Sequence, residues 1–328
     1  MLIGCALGDA MGMPTEMWTR EKINKRYPTG VSKFEATSPD DFFGREMVAG
    51  SVTDDTINTV MILNSIVECK GSLDAQNYIS SLIKWRESSE TAALVTGPST
   101  MRALDKLEKG IPIEETGKWG TTNGAAMKIA PIGIVSDYRN LQQLIENVYQ
   151  ICMPTHNTNI AITGASIVAA CVSYGISGGQ SVEDLWSLAD QVIEAAKDIG
   201  CETPSASLRF RLQAVKQMIE AETSREGVNK HRVLERVYDE LGASFETIET
   251  IPAVFAIIQL AKCDPREAAY LSASLGGDTD TIGAIAGAIC GAMNPDFDNS
   301  IVSELESVNA LNFDKLAESI LPYSPYLR

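Results

Sequence analysis

Histidine is almost missing from this chain. There are two, His156 and His231, among 328 residues. His231 falls in a charged helical stretch and reads as solvent-facing. His156 sits in Pro154-Thr-His-Asn-Thr158, just before an uncharged helix, where a lone histidine serves more often as a capping or structural group than as a catalyst. Basic runs are missing too: no run of Lys or Arg exceeds two, and net charge is −16. That excludes the basic patch a duplex-binding surface needs, and the acidic balance disfavours nucleic acid and anionic membranes as partners. No Cys-x-x-Cys occurs. The seven cysteines are odd in number and scattered, which reads as reduced thiols used as small core residues and points to the cytoplasm. Leu2-Ile3-Gly4-Cys5 superficially matches a lipoprotein cleavage box, but the basic start and apolar stretch of a signal peptide are absent. Residues 157–182 carry no charge, yet Ser, Thr, Gly and Asn are too frequent there for a membrane span, so a buried helix is expected. No segment alternates apolar and polar residues as a half-buried strand does.

What is present is helical periodicity, with glycine and alanine on many faces. The expected fold class is all-α, a compact single-domain bundle of many helices over residues 1–328. Gly4, Gly8 and Gly12 fall one turn apart and open a groove for another helix. Asp9 reads as a surface acid and Glu16 as a loop acid. Residues 28–50 read as a long loop, a plausible lid. Helices are expected over 54–69, 74–86, from Pro98 to Lys109, and over 181–199, 205–222, 228–241, 248–262, 264–275 and 311–320, with a surface turn at 223–229.

Two segments carry chemistry. Ser274-Leu-Gly-Gly-Asp-Thr-Asp-Thr281 opens an apolar helix, and Ser51-Val-Thr-Asp-Asp-Thr56 opens another. Each puts two acids and hydroxyls at a helix start, where negative charge is tolerated. The bland alternative is a pair of over-capped helices. If the starts converge, four carboxylates meet, and hard oxygen ligands of this kind suit Mg²⁺, Mn²⁺ or Ca²⁺ rather than zinc. Four acids balance two divalent ions, so a binuclear site with ions about 3.5–4 Å apart is expected. A further segment, Gly120-Thr-Thr-Asn-Gly-Ala-Ala-Met-Lys-Ile-Ala-Pro-Ile-Gly133, could offer backbone N–H groups to a ligand or serve only close helix packing.

Together, Gly8-Asp9-Ala-Met-Gly12-Met-Pro-Thr-Glu16, Thr53-Asp54-Asp55-Thr56, Asn123-Gly124 through Gly133, Thr155-His156 and Gly276-Gly-Asp-Thr-Asp-Thr281 resemble the ADP-ribosylglycohydrolase family, which includes the dinitrogenase-reductase-activating glycohydrolases. The blocks follow the family's order from residue 4 to about 293. The paired acid motifs are specific; the Gly/Ala blocks alone would be weak. The resemblance implies two Mg²⁺ or Mn²⁺ ions held by Thr53, Asp54, Asp55, Asp278, Asp280 and Thr281. It implies Glu16 as general base or proton shuttle, with Asp55 beside it in catalysis. It places Asn123, Gly124, His156 and Gly277 against the substrate, an ADP-ribosylated protein or a ribosylated small molecule. Of two departures from the family pattern, a short upstream part of the first helix and a missing acid, the second bears on substrate. Members acting on ADP-ribosyl-arginine often carry an acid near residue 97, whereas Leu94-Val95-Thr96-Gly97-Pro98 has none. A nucleoside-like N-riboside therefore competes as substrate. A crystallin-like member that binds without catalysis would lack metal ligands, and here all six positions are intact.

Overall fold

A computed structural model describes residues 1–89, 92–224 and 227–327. Its regular structure is helical, as the periodicity predicts, apart from one short antiparallel pair, Thr223–Ser224 with Gly227–Val228. That pair stands where a surface turn is expected over 223–229, of which residues 225 and 226 lie outside the described residues. The contacts gather the chain into two units: Met1–Thr53 with Ser205–Leu311, and Asp54–Pro204 with Asn312–Arg328.

The first unit is built on a glycine-lined helix pair. The N-terminal helix Leu2–Gly12 lies against Thr279–Met293. A Cβ on Gly4 would run into the backbone of Gly287, one on Gly8 into Gly283, and one on Gly12 into Thr279 and Asp280. Rising numbers on one helix meet falling numbers on the other, so the two run antiparallel at backbone contact. The groove predicted from Gly4, Gly8 and Gly12 is filled by this partner. Threonines close its end: Thr279 Oγ1 donates to Gly12 O at 2.8 Å, and Thr15 Oγ1 donates to Ala273 O at 2.9 Å. Pro265–Ala273 packs on both helices, and Thr247–Ala261 packs on Thr279–Met293 and on Leu208–Ala221. Residues 28–50 form no helix or strand, in keeping with the long loop expected there. Within this unit, two helices, Arg20–Arg26 and Asn299–Asn309, add to those expected, and in the other unit Ala92–Val95, Ile113–Thr116 and Leu141–Cys152 do.

The second unit surrounds Asn159–Ile176. This helix is long and apolar enough to cross a membrane, but every residue from Ile160 to Gly175 is buried within the protein. Ala130–Val135, Leu141–Cys152 and Val182–Ala195 pack around it. Leu141–Cys152 presents Leu144, Ile145, Val148, Ile151 and Cys152 to the core, a helical stripe that plain periodicity could have flagged. Asp54–Glu68 packs against Ala75–Ser88 and Phe313–Ile320.

Candidate active site

In the first unit, the turn after the N-terminal helix brings Glu16 to the start of Thr279–Met293. Carboxylate oxygens of Glu16, Asp278 and Asp280 all lie within 4.8 Å of one another. The backbone sets this up. Gly276 and Gly277 take φ of +94° and +79°, the left-handed region that only glycine enters without strain. Gly277 N–H then donates to Trp18 O at 2.9 Å, and Met17 N–H donates to Gly277 O at 2.7 Å. Asp278 N–H donates to Ala243 O at 2.7 Å. This clasp holds the Glu16 segment beside the acid-bearing helix start. It also commits both backbone polar groups of Gly277, so that residue acts here as a hinge of the site.

Three carboxylates so close repel one another, and the fold answers with a cation. Arg45 Nη1 donates to Glu16 Oε2 at 2.5 Å, its Nη2 donates to Asp41 Oδ1 at 2.9 Å and to Met13 O at 3.2 Å. The Arg45 side chain is 2% exposed. Burial pushes the Glu16 carboxyl well above its ordinary range, Asp280 pushes it the same way, and Arg45 pulls against both. Arg45 comes from the 28–50 loop, and sequence reasoning missed it; nothing in its local sequence marks it.

Asp9 corrects an expectation. It is not a surface acid but fully buried. Its carboxylate accepts the Thr53 N–H at 3.0 Å and the Thr53 hydroxyl at 2.9 Å. Thr53 is thereby fixed in the first unit. Thr281 N–H donates to Asp280 Oδ1 at 2.9 Å, an arrangement at a helix start that orients the carboxylate.

In the second unit, Asp54 and Asp55 form the first turn of Asp54–Glu68, and both are buried. That turn is buttressed from behind. Asn58 Nδ2 donates to Asp54 O at 2.7 Å, and Tyr78 OH donates to Asn58 Oδ1 at 2.8 Å. Tyr78 in turn lies under the Lys128 ammonium, 5.2 Å from the ring centre. Lys128 is 1% exposed. Burial lowers it to about 8, while Cys152 and Asp54 act the other way. It is the single charge in Ala125–Val135, a signal that could have been read.

The segment before it forms a short 3₁₀ turn, Asn123–Ala125, all of it buried. A Cβ on Gly124 would come within 2.8 Å of the His156 ring, so the imidazole supports this turn directly. His156 Nε2 is 2.9 Å from Thr122 Oγ1 and Nδ1 is 2.8 Å from Thr155 Oγ1. Both ring nitrogens are used inside the protein. Burial, with Lys128 and Arg102 nearby, drives the imidazole well below its ordinary pKa, so it is neutral at pH 7. His156 therefore stands behind Gly124 as a support.

The donor chemistry fits a hard divalent cation. The cluster offers carboxylate oxygens, with hydroxyls adjacent in sequence, and no thiolate or imidazole among Glu16, Asp278 and Asp280.

Comparison with known proteins gives the family. The ADP-ribosylglycohydrolase family model matches residues 1–320. The uncharacterized protein YegU of Escherichia coli (strain K12) is 33% identical over 331 aligned positions, covering 98% of this chain and 95% of YegU. The ADP-ribosylarginine hydrolase Tri1 of Pseudomonas putida is 24% identical, covering 89% of this chain and 69% of Tri1. A solved structure titled ADP-ribosylglycohydrolase-related protein complex superposes with a TM-score of 0.68 at 21% identity, covering 98% of this chain and 96% of its own, and so shares the fold. This chain belongs to the ADP-ribosylglycohydrolase family, whose members are glycosyl hydrolases acting on ADP-ribose linkages.

Proposed function

We propose that this protein is a divalent-cation-dependent hydrolase that cleaves an N-glycosidic bond to ribose, releasing ADP-ribose from a modified protein side chain or a small molecule. The observation that carries the reading is the carboxylate cluster of Glu16, Asp278 and Asp280, within 4.8 Å of one another. Thr53, Asp54, Asp55, Asp278, Asp280 and Thr281 would hold two ions, Mg²⁺ or Mn²⁺. When bound, such ions fix ribose hydroxyls and acidify a water. Glu16 takes the proton of the attacking water as its oxygen bonds to C1 and the bond between C1 and nitrogen breaks, and that proton passes to the departing nitrogen. Positive charge builds on the ribose ring in that step, and Asp55 is the second acid that the family motif offers to favour it. Asn123 and Gly124 line the ribosyl site, His156 steadies them, and Gly277 holds the Glu16 segment in place. The seven cysteines carry thiols rather than disulfides, which supports a cytoplasmic location.

Relation to Tri1 makes arginine-linked ADP-ribose the first substrate to try. The second reading, a small nucleoside-like N-riboside, is favoured by one observation: Leu94–Pro98 carries no acid. One panel separates them. Release of ADP-ribose from modified arginine is followed beside release of ribose from nucleosides, each with Mg²⁺, Mn²⁺ or EDTA. Turnover of the arginine conjugate that EDTA abolishes is the expected result. Turnover confined to nucleosides selects the second reading, and turnover unaffected by EDTA removes the metal from both.

A further inference from the structure

A line of four polar side chains runs through the second unit behind Gly124. Lys128 Nζ donates to Thr155 Oγ1 at 2.9 Å. Thr155 Oγ1 is 2.8 Å from His156 Nδ1, and His156 Nε2 is 2.9 Å from Thr122 Oγ1. Lys128, Thr155 and His156 are each 1% exposed, and Thr122 is 6% exposed. Water can do little to satisfy or reorient such a chain, so its proton order follows from donor and acceptor counting.

The counting starts at Lys128, because an ammonium can only donate. Thr155 Oγ1 must accept from it. The Thr155 hydroxyl then has one proton to place, and a buried hydroxyl left without an acceptor is costly. Among the described residues, the acceptor within reach is His156 Nδ1. With Nδ1 accepting, the ring proton of a neutral imidazole sits on Nε2. Nε2–H then donates to Thr122 Oγ1. Thr122 is left holding a hydroxyl proton for which no acceptor is found among the described residues. It stands next to Asn123 and Gly124, the turn that the proposed function places against the ribosyl group.

We propose that Lys128 is a positioning residue which, through Thr155, fixes His156 as the Nε2–H tautomer and so turns the Thr122 hydroxyl into a hydrogen-bond donor to a substrate oxygen. The second half rests on the proposed function; the first half does not. The neutral state of the ring, already favoured by its burial, agrees with this assignment.

The scarcity of histidine makes the test clean. With ¹⁵N-labelled histidine the full chain gives two imidazole signals, one of which disappears in His156→Asn. At pH 7, the wild-type His156 signal is expected to show the proton on Nε2. Lys128→Met removes the obligatory donor, frees Thr155 to turn, and is expected to change the tautomer ratio by about tenfold, the difference between a charge-assisted and an ordinary hydrogen bond. Lys128→Arg should keep the wild-type ratio. If Lys128→Met does not fold, Thr155→Val breaks the same link. A proton on Nδ1 in the wild type overturns the proposal, as does an unchanged ratio in a folded Lys128→Met or Thr155→Val. For the outward donor, ADP-ribose binding to the Mg²⁺-loaded protein is measured by calorimetry. Thr122→Val should weaken it about tenfold and Thr122→Ser should restore it. Equal affinity for the two variants overturns the outward donor. Failure of ADP-ribose to bind the wild type counts against the proposed function, and the tautomer measurement then still decides the relay.

Discussion

At the scale of single residues, the candidate site is marked by charge crowding at Glu16, Asp278 and Asp280. Asp280 lies within 4.8 Å of Glu16 and Asp278, with both aspartates buried, so its loss removes both a ligand oxygen and the repulsion that a cation relieves. Asp280→Ala is expected to lose bound metal and to lower turnover by about a hundredfold or more. Elemental analysis of the purified variant checks this, and full metal content refutes the ligand assignment. Lys128 yields a prediction about pH. Its folded pKa of about 8 lies below the ordinary 10.5. Between those values the unfolded chain binds a proton that the folded chain does not, so this site's contribution to stability rises with pH. Asp54, Cys152 and Tyr78 face it, and Cys152, pushed up by burial to about 11, works in the opposite sense above pH 9. Comparing wild type with Lys128→Met removes most of the Cys152 effect. Their stability difference should move in favour of wild type by up to about 3 kcal/mol from pH 7 to 10.5, read from urea unfolding. The acids of the site were legible in the sequence because two acids at an apolar helix start are rare enough to notice. Arg45 was not, because a lone arginine in a long loop has no local signature; its partners Glu16, Asp41 and Met13 O are chosen by the way the loop returns.

At the scale of elements, the antiparallel pair Leu2–Gly12 and Thr279–Met293 sets where Glu16 meets Asp278 and Asp280. Backbone contact at Gly8 and Gly283 leaves no room for a methyl group. Alanine has the better helix propensity by about 1 kcal/mol, but the carbonyl of Gly283 occupies the place its Cβ needs. The clash wins, and Gly8→Ala is expected to destabilise the protein by about 1–3 kcal/mol, with a lower melting temperature and weaker metal binding as the helix start shifts. An unchanged melting temperature would show that the helices can part at no cost. The period of these glycines announced a close helix approach. It could not say which helix would fill the groove, because small residues also line Asn159–Ile176, and small-residue faces are interchangeable until tertiary packing selects among them. Leu141–Cys152 shows the converse: its apolar stripe is written in the sequence, yet no helix was expected there.

At the scale of the molecule, net charge is −16, and the proposed site concentrates part of that charge. A bound cation pair would therefore be tied to folding. With free Mg²⁺ or Mn²⁺ at a hundred times its dissociation constant, the folded state gains about 2.7 kcal/mol. EDTA should lower the melting temperature of the wild type and leave that of Asp280→Ala in place; a melting curve indifferent to EDTA in both would end the metal reading.

Helical class, the oxygen-donor chemistry and the family likeness were fixed by the amino-acid sequence alone, because periodicity and motif spacing are local quantities. The burial of Asp9, the return of Arg45 to Glu16, the clasp between Trp18 and Gly277, and the polar line from Lys128 to Thr122 were decided only by tertiary structure. Each joins groups that are distant in the chain or hidden from solvent, and a hydrogen bond gains its value, and a buried charge its cost, from surroundings that exist only once the chain has folded.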